Sequence, residues 1–171
     1  MILTGTKIAE EVSEGGITLT PFSDSHLTTN SYDLTLGPAL IRYTADVLDP
    51  KKDNEYEQLE IPETGIILDA GSFHLGASLE MVGSTNYVPI IHARSGIARL
   101  GLFVHVTADL IDIGSCGNVT FQLFATLPIR IYPKMRIAQV TFWQPKGEIK
   151  LYTGKYQGSK GPSTSRSYQD E

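Results

Sequence analysis

The chain has 171 residues, of which 41% are hydrophobic and 19% charged, and these proportions are ordinary for one domain, residues 1–171, with its own hydrophobic core. The formal net charge of −5 argues against a nucleic-acid-binding surface, which needs a broad basic field. Cys116 is the only cysteine, so no intrachain disulfide is expected, and the lack of a long apolar span or signal-like start predicts a cytoplasmic protein without a membrane segment.

A helical pattern begins the chain, and a strand pattern follows it. Residues 6–12 precede Gly15 and Gly16, which predicts a short N-terminal helix with acidic residues near its start and a glycine stop. The charged stretch 46–60 indicates an exposed loop. Many short strands between Gly, Pro and Asn/Asp turns predict a mainly β fold, either a sandwich or a distorted barrel of the jelly-roll type. The period of two predicts strands at 32–36, 66–68, 73–82, 87–91, 102–106, 118–124, 129–132 and 137–143.

Residues 92–112, HARSGIARLGLFVHVTADLID, predict a site for a phosphate-bearing ligand. Ser95 is a good N-cap and Gly101 a good residue to follow a helix end, so a short helix is expected near 95–101. Anions are stabilised at such a helix start, and Arg94 and Arg99 add two permanent cations with planar, multi-donor geometry. The alternative is that both arginines are solvated surface charges.

The last residues, 154–171, combine glycines, hydroxyl groups and cations, and this composition suits a lid that closes over phosphate oxygens. A disordered polar tail is the alternative. The tyrosines argue against a tail, because tails seldom contain aromatic residues. The cations proposed to bind phosphate are Lys155, Lys160 and Arg166, and the tyrosines are Tyr152, Tyr156 and Tyr168.

The sequence carries no pattern for a metal site built from its own side chains. The four histidines, at 26, 74, 92 and 105, are scattered without an H-x-x-x-H pair. The single cysteine also excludes the His/Cys/Cys zinc site of nucleobase deaminases. We therefore expect that any metal ion arrives with the substrate.

Four blocks of the sequence, in this order, resemble the dCTP deaminase branch of the dCTP deaminase and trimeric dUTPase superfamily. They are NSYDLTLG at 30–37, ARSGIARLGL at 93–102, VHVTA at 104–108 with ID at 111–112, and GKYQG at 154–158 with residues 161–166. The resemblance implies a distorted jelly-roll, or dUTPase-like β-barrel, that forms a homotrimer with active sites between subunits. It also implies a C-terminal lid, and Mg²⁺ that enters with a pyrimidine deoxynucleoside triphosphate, dCTP or dUTP.

The resemblance further implies roles for individual residues. Ser95 and Arg99 match catalytic positions, and Arg94 joins them at the phosphates. Asp112 matches the carboxylate that contacts the sugar and positions the attacking water in dUTPases. The residues matched to base and sugar contacts are His105, Val106 and Thr107 on the strand 105–108, with Tyr152 and Tyr156 from the closing segment.

One position departs from the family pattern. Deamination at C4 of cytosine without zinc needs a group that moves protons, and in this family that group is a glutamate on the strand after Gly117. Gln122 stands at its place, and a primary amide can bond a base edge but cannot shuttle protons. Because its oxygen and NH₂ group can exchange places, Gln122 is expected to bond uracil and cytosine equally. Strand alternation offers another interpretation, in which Gln122 simply faces solvent.

Three functions are compatible with these residues. The first is the family reaction, deamination of dCTP to dUTP with or without conversion to dUMP, in which His105 or a water held by Asp112 replaces the glutamate. The second is hydrolysis of dUTP or dCTP with release of diphosphate, in which Asp112 positions the water while Arg94 and Arg99 stabilise the phosphates. The third is nucleotide binding without turnover, by a regulatory trimer.

Overall fold

A computed structural model describes residues 1–170 and contains far more strand than helix. Its helices are α1 (Gly5–Glu14) and α2 (Ser95–Ala98), and 3-10 turns lie at Asp24–His26 and Ser167–Gln169. The strands are β1 (Ile17–Thr20), β2 (Tyr32–Thr35), β3 (Ala39–Tyr43), β4 (Tyr56–Glu60), β5 (Ile66–Leu68), β6 (Phe73–Ser84), β7 (Val88–Ala93), β8 (Leu102–Phe103), β9 (Cys116–Ala125), β10 (Ile129–Ile131) and β11 (Arg136–Trp143).

Helix α1 begins and ends where its sequence predicts a start and a stop. The hydroxyl of Thr4 accepts a hydrogen bond from the backbone N–H of Lys7 (3.4 Å), which caps the helix start. Gly15 ends the helix with φ = 81°, in the left-handed region that glycine adopts without strain. The first turn contains no acidic residue, which corrects the prediction for that turn. Glu11 lies further along the helix and pairs with Lys7 at 3.0 Å.

Two antiparallel sheets and a two-stranded ribbon make up the β structure. The larger sheet has the order β4-β3-β6-β9-β8, and β1 also pairs with β6. The smaller sheet has the order β2-β11-β7, and β5 pairs with β10 in the ribbon. Within residues 1–170, none of these sheets closes into a ring. Strand β9 therefore lies between the long strand β6 and the short strand β8, next to the loop that follows β8.

Both sheets contribute to one hydrophobic core. Leu40, Phe121 and Leu123 of the larger sheet are fully buried in the same cluster as Leu34 and Val140 of the smaller sheet. Burial of apolar side chains of this size stabilises a fold by about 1.5–3 kcal/mol each, relative to leaving them exposed. The predicted mainly β fold, with a short N-terminal helix and a short helix near 95–101, is confirmed. No helix within the described range is long and apolar enough to cross a membrane.

Several element boundaries differ from the prediction. The predicted loop 46–60 ends in strand β4, whose charged residues lie at an exposed sheet edge and pair with β3. Strands β1 and β3 were not predicted. The predicted strand 102–106 is regular only to Phe103, since residues 104–108 bend away from the sheet.

Candidate functional site

Strand β9 presents Gln122 to a cavity, and it does so because its apolar residues alternate. Phe121 and Leu123 are fully buried in the core, so Gln122 must project from the opposite face. There it lines a cavity of about 520 Å³, which we call the Gln122 cavity, and it is not simply a solvent-facing residue. The cavity walls combine apolar side chains with hydroxyl groups, among them Phe73, Leu75 and Thr120.

The side chain of Gln122 is held in one orientation by two backbone groups. Its Oε1 atom accepts hydrogen bonds from the N–H of Val106 (2.9 Å) and of Thr107 (3.3 Å). Only an oxygen can accept from both, so the opposite atom of the amide is the donor Nε2. Nε2 has no hydrogen-bond partner among residues 1–170. The expectation that the amide oxygen and NH₂ group exchange freely is therefore wrong for this conformation.

The same residue also binds the loop after β8 through its main chain. The backbone N–H of Gln122 donates to the carbonyl of Val104 (2.9 Å), so both main chain and side chain of Gln122 bind the loop. Residues 105–108 do not form the predicted strand, yet the N–H groups of Val106 and Thr107 reach the side chain of Gln122, and Ala108 lines its cavity. The side chain of His105 lines a different, small cavity of about 90 Å³ beside Ala93 and Ala98, and its buried Nδ1 has no partner.

The C-terminal segment, residues 154–170, packs along β9 and is not a detached tail. Glu171, the last residue of the predicted lid, lies outside the described residues. Ser163 and Ser165 reach the wall of the Gln122 cavity, as does Tyr156. The hydrogen bonds that attach the segment to β9 run from Gly158 N–H to Cys116 O (2.9 Å), from Asn118 N–H to Ser159 O (2.9 Å), from Gly161 N–H to Asn118 Oδ1 (3.0 Å) and from Ser163 N–H to Thr120 Oγ1 (3.1 Å).

Gly117 allows this close approach between the segment and the strand. A Cβ atom at Gly117 would lie only 2.7 Å from the backbone nitrogen of Ser159 and 2.9 Å from its carbonyl oxygen. Real Cβ atoms do not approach backbone atoms so closely, so any larger residue would displace one of the two chains. The absence of a side chain at this position is thus a requirement of the docked segment.

Tyr156 organises the cations of the C-terminal segment. Its hydroxyl accepts a hydrogen bond from the backbone N–H of Arg166 (2.8 Å), and the guanidinium of Arg166 lies 5.8 Å from the ring centre. Lys155 Nζ is 5.7 Å from the same ring and pairs with Asp170 at 2.6 Å. Lys160 is exposed, and its side chain makes no ion pair with any residue from 1 to 170. Of the three predicted phosphate-binding cations in the segment, Lys160 is therefore the one whose side chain has no ion pair, hydrogen bond or ring contact among residues 1–170.

Arg94 lies in a second cavity and is paired with a buried carboxylate that sequence reasoning did not single out. Arg94 Nε is 3.1 Å from Asp33 Oδ2, and Arg136 Nη1 is 3.5 Å from the same oxygen. Asp33 is almost fully buried, although strand alternation predicts that it faces away from the core. One carboxylate against two guanidinium groups leaves one positive charge beside a cavity of about 440 Å³, the Arg94 cavity, which Ser95 and Gln139 also line.

Helix α2 begins one residue earlier than predicted from its capping signal. Arg94 occupies the N-cap position, and no side chain caps the helix there, so Ser95 is the first helical residue and not the cap. Gly101 has φ = 78°, as expected for a residue that follows a helix end. Arg99 is exposed, and its guanidinium makes no ion pair or hydrogen bond within the described chain. Arg99 is therefore free to bind an anion.

Asp112 and Tyr152 line a third cavity of about 340 Å³, the Asp112 cavity, together with Lys146 and Lys150. The backbone N–H of Tyr152 donates to the carbonyl of Ile113 (2.8 Å), which fixes the start of the C-terminal segment against this wall. A single chain thus distributes six of the predicted site residues over three larger cavities. It brings Gln122 and Tyr156 together, as it does Arg94 and Ser95, and Asp112 and Tyr152. The others line none of the three, namely Arg99, His105, Val106, Thr107, Lys155, Lys160 and Arg166.

Burial controls the charge of two histidines near these cavities. Burial lowers the pKa of His74, and the positive charge of Arg42 lowers it further. Burial also lowers the pKa of His92, with a smaller contribution from His105. Both side chains are therefore neutral at pH 7. In the described part of the chain, no three His, Cys, Asp or Glu side chains gather into a group that could hold a metal ion.

Comparison with known proteins identifies the family of the chain. A family model described as dCTP deaminase-like matches residues 2–145. The chain is 44% identical to "dCTP deaminase, dUMP-forming" of Clostridium botulinum (strain Alaska E43 / Type E3) over 171 residues, covering 99% of this chain and 98% of that protein. It is 43% identical, with the same coverage, to the protein of that name from Cytophaga hutchinsonii.

A solved structure gives the same result for the fold. The crystal structure of 2'-deoxycytidine 5'-triphosphate deaminase from Agrobacterium tumefaciens superposes on 82% of this chain with a TM-score of 0.66. At 19% identity this is a likeness of fold alone, and the chain spans 47% of that longer chain. The family model and the relatives of similar length together settle the assignment: the chain belongs to the dCTP deaminase-like family.

Proposed function

We propose that this protein hydrolyses the triphosphate of a pyrimidine deoxynucleotide, dUTP or dCTP, and releases diphosphate without deaminating the base. The names of its relatives describe conversion of dCTP to dUMP. That conversion consists of two hydrolytic steps, one at the C4 amino group and one at the α-phosphate. In this proposal the chain carries out the second step, at the α-phosphate, and not the first step, at the C4 amino group.

The observation that carries the proposal is the chemistry of the Gln122 cavity. Within residues 1–170, no carboxylate and no histidine lines it, and the amide at Gln122 cannot accept and return a proton near neutral pH. General acid–base help contributes about 10²–10⁴-fold to a rate, so deamination without it would be very slow. His105 and Asp112 are the two residues that could replace the glutamate in proton transfer. Within one chain they line other cavities, so neither lines the Gln122 cavity.

Cleavage at the phosphate requires residues that the chain retains. In the proposed step a water oxygen attacks the α-phosphorus, the bond from that phosphorus to the bridging oxygen breaks, and its electron pair leaves with diphosphate. Asp112 orients the water and accepts its proton. Arg94 and Arg99 stabilise the charge that develops on the phosphate oxygens, and Ser95 donates a hydrogen bond to them. The cations Lys155, Lys160 and Arg166 hold the outer phosphates when the C-terminal segment is closed.

The proposal includes a homotrimer, because one chain keeps its Arg94, Asp112 and Gln122 cavities apart. Association of three copies of the jelly-roll domain would bring the Arg94 cavity of one subunit to the Gln122 cavity of its neighbour. Mg²⁺ would arrive with the triphosphate as part of the substrate, where it would neutralise phosphate charge, since no three His, Cys, Asp or Glu side chains of the described residues gather to hold it.

A second candidate is the full reaction named for the relatives, dCTP to dUMP, which the sequence identity of 44% favours. Incubation with Mg²⁺ and either dCTP or dUTP, followed by separation of nucleotides and measurement of ammonia and diphosphate, separates the candidates. Diphosphate without ammonia supports the proposal, whereas ammonia from dCTP supports the second candidate. Tight binding without either product would mean that the protein is a non-catalytic nucleotide-binding trimer. Light scattering tests the trimer, which predicts three times the 18.7 kDa of one chain.

A further inference from the structure

The fixed orientation of the Gln122 amide leaves its Nε2 donor, and not its oxygen, for a ligand in the cavity. Oε1 is occupied by the N–H groups of Val106 and Thr107, so Nε2 is the only polar atom of the side chain left for a ligand. We propose that Gln122 makes this site select uracil over cytosine, by donating a hydrogen bond from Nε2 to the C4 oxygen of the base. The inference rests on the proposed function, in which a pyrimidine occupies this cavity.

The two bases differ in polarity at the C4 edge. Uracil has a carbonyl oxygen at C4, which accepts a hydrogen bond, whereas cytosine has an amino group there, which only donates. Nε2 also only donates. A cytosine in the same position would therefore bring two donors together, and both would lose the hydrogen bonds that they make with water. Uracil would instead pair with the donor that the protein leaves free.

The backbone of residues 106 and 107 prevents the amide from adapting to cytosine. A rotation by 180° about the last side-chain bond would offer Oε1 to the amino group of cytosine. The same rotation would turn the NH₂ group of Gln122 towards the N–H groups of Val106 and Thr107, which would break two hydrogen bonds and oppose three donors. Selectivity thus comes from main-chain N–H groups, which substitutions at 106 and 107 leave in place unless proline is introduced.

Three triphosphates test the inference without changing the protein. They are the non-hydrolysable α,β-imido forms of dUTP, of dCTP and of the deoxynucleotide of pyrimidin-2-one, whose C4 carries only hydrogen. We expect calorimetric dissociation constants in which dUTP binds about tenfold more tightly than either of the others, because each of them lacks the C4 acceptor. Equal binding of all three would mean that Nε2 bonds the shared O2 atom and would overturn the inference. Tighter binding of dCTP and the pyrimidin-2-one than of dUTP would mean that Nε2 bonds N3, and would also overturn it.

Substitutions at Gln122 provide a second test of the selectivity. In Gln122→Glu one carboxylate oxygen still accepts from Val106 and Thr107, while the other faces the cavity as an acceptor, so the preference should reverse to dCTP. In Gln122→Met the ratio should fall to within about twofold of one. Gln58→Glu adds the same charge on exposed β4 and should leave the ratio unchanged. An unaltered ratio in both Gln122 variants, with intact folding by circular dichroism, would contradict the inference.

The binding and turnover measurements together distinguish failure of the selectivity inference from failure of the proposed function. Selective binding of the dUTP analogue without diphosphate release from dUTP would refute the proposed function and leave the selectivity intact. Diphosphate release at equal kcat/KM from dUTP and dCTP, with equal binding, would refute the selectivity alone. Absence of binding by all three analogues would refute both.

Discussion

Arg94 Nε lies 3.1 Å from Oδ2 of Asp33, and the carboxylate of this pair is almost fully buried while the arginine is partly exposed. The buried partner cannot move, so it determines where the guanidinium points. Arg136 shares the same carboxylate oxygen at 3.5 Å. Asp33 also lines the Arg94 cavity, and it positions there a cation that we assign to phosphate binding.

We expect Asp33→Asn to weaken both folding and turnover. The amide keeps one acceptor but no charge, so Arg94 and Arg136 would lose their common anion and repel each other. Loss of a hydrogen bond to a charged group costs about 1.5–3 kcal/mol, which should appear in the free energy of unfolding measured in urea. The kcat/KM for diphosphate release should fall about tenfold, because Arg94 is no longer held in place.

A matched control is Glu63→Gln. Glu63 pairs with Lys134 at 3.6 Å, but both side chains are highly exposed, and such pairs contribute less than about 1 kcal/mol. Equal effects of the two substitutions on kcat/KM would show that Asp33 does not position Arg94.

We expect Gly117→Ala to detach the C-terminal segment from β9. The new Cβ would meet the backbone of Ser159 at 2.7 Å, so the hydrogen bonds on either side of it would break. Hydrogen exchange of the amides of Gly158, Gly161 and Ser163 should become at least about tenfold faster, because the local opening free energy falls by more than 1.4 kcal/mol. Gly96→Ala, where a Cβ meets nothing within 4 Å, should leave this exchange unchanged. Unchanged exchange in both variants would mean that the segment is not held by this contact.

We expect Gln122→Glu to release ammonia from dCTP. A carboxylate at this position supplies the proton-moving group that the wild-type cavity lacks, and such a group contributes about 10²–10⁴-fold to the rate. A coupled assay for ammonia measures the gain, with Gln58→Glu as the control for added charge. A folded Gln122→Glu protein that binds the dCTP analogue but releases no ammonia would show that Gln122 alone does not account for the missing step.

Protonation of His74 should destabilise the protein in mild acid. Burial and the charge of Arg42 lower the pKa of His74 below its ordinary value of 6.5, so the folded state binds this proton less readily than the unfolded state. The stability that His74 contributes is thus fully present above pH 6.5 and is lost as the pH falls below that value. His74→Leu should show a shallower decline of melting temperature between pH 6.5 and pH 5. Parallel curves for the two proteins would refute this assignment.

Much of the fold follows from local sequence patterns, whereas the details of the site depend on tertiary contacts. The capping threonine and the glycine stop of α1 act within one turn, and the alternation of Phe121 and Leu123 identifies the outward face of β9. Strand β4 was predicted as a loop because a charged, exposed edge strand has the composition of a loop.

The orientation of the Gln122 amide could not be predicted for a different reason. It is decided by two N–H groups sixteen and fifteen positions away in the chain, whose direction depends on how the loop after β8 folds. The pairing of Asp33 with Arg94 likewise joins strand β2 to the start of helix α2, which is distant in sequence. The same holds for the cavities, since the resemblance groups residues into one site that a single chain distributes over several.

The hydrogen bonds that attach the C-terminal segment to β9 are arranged in the order of the chain, and this arrangement bears on how the site opens. Among the hydrogen bonds to β9, the one nearest to Gln122, between Ser163 and Thr120, is also the one nearest to the chain end, while Gly158 is held at Cys116, at the far end of β9. Beyond Ser163, Ser165 N–H donates to the hydroxyl of Tyr43 on β3 (2.9 Å). We therefore expect release from the terminus to expose the Gln122 end of β9 first and to leave the root of the segment in place. On the proposed function, nucleotide exchange would need only this partial release, and the segment would keep the register from which it closes again.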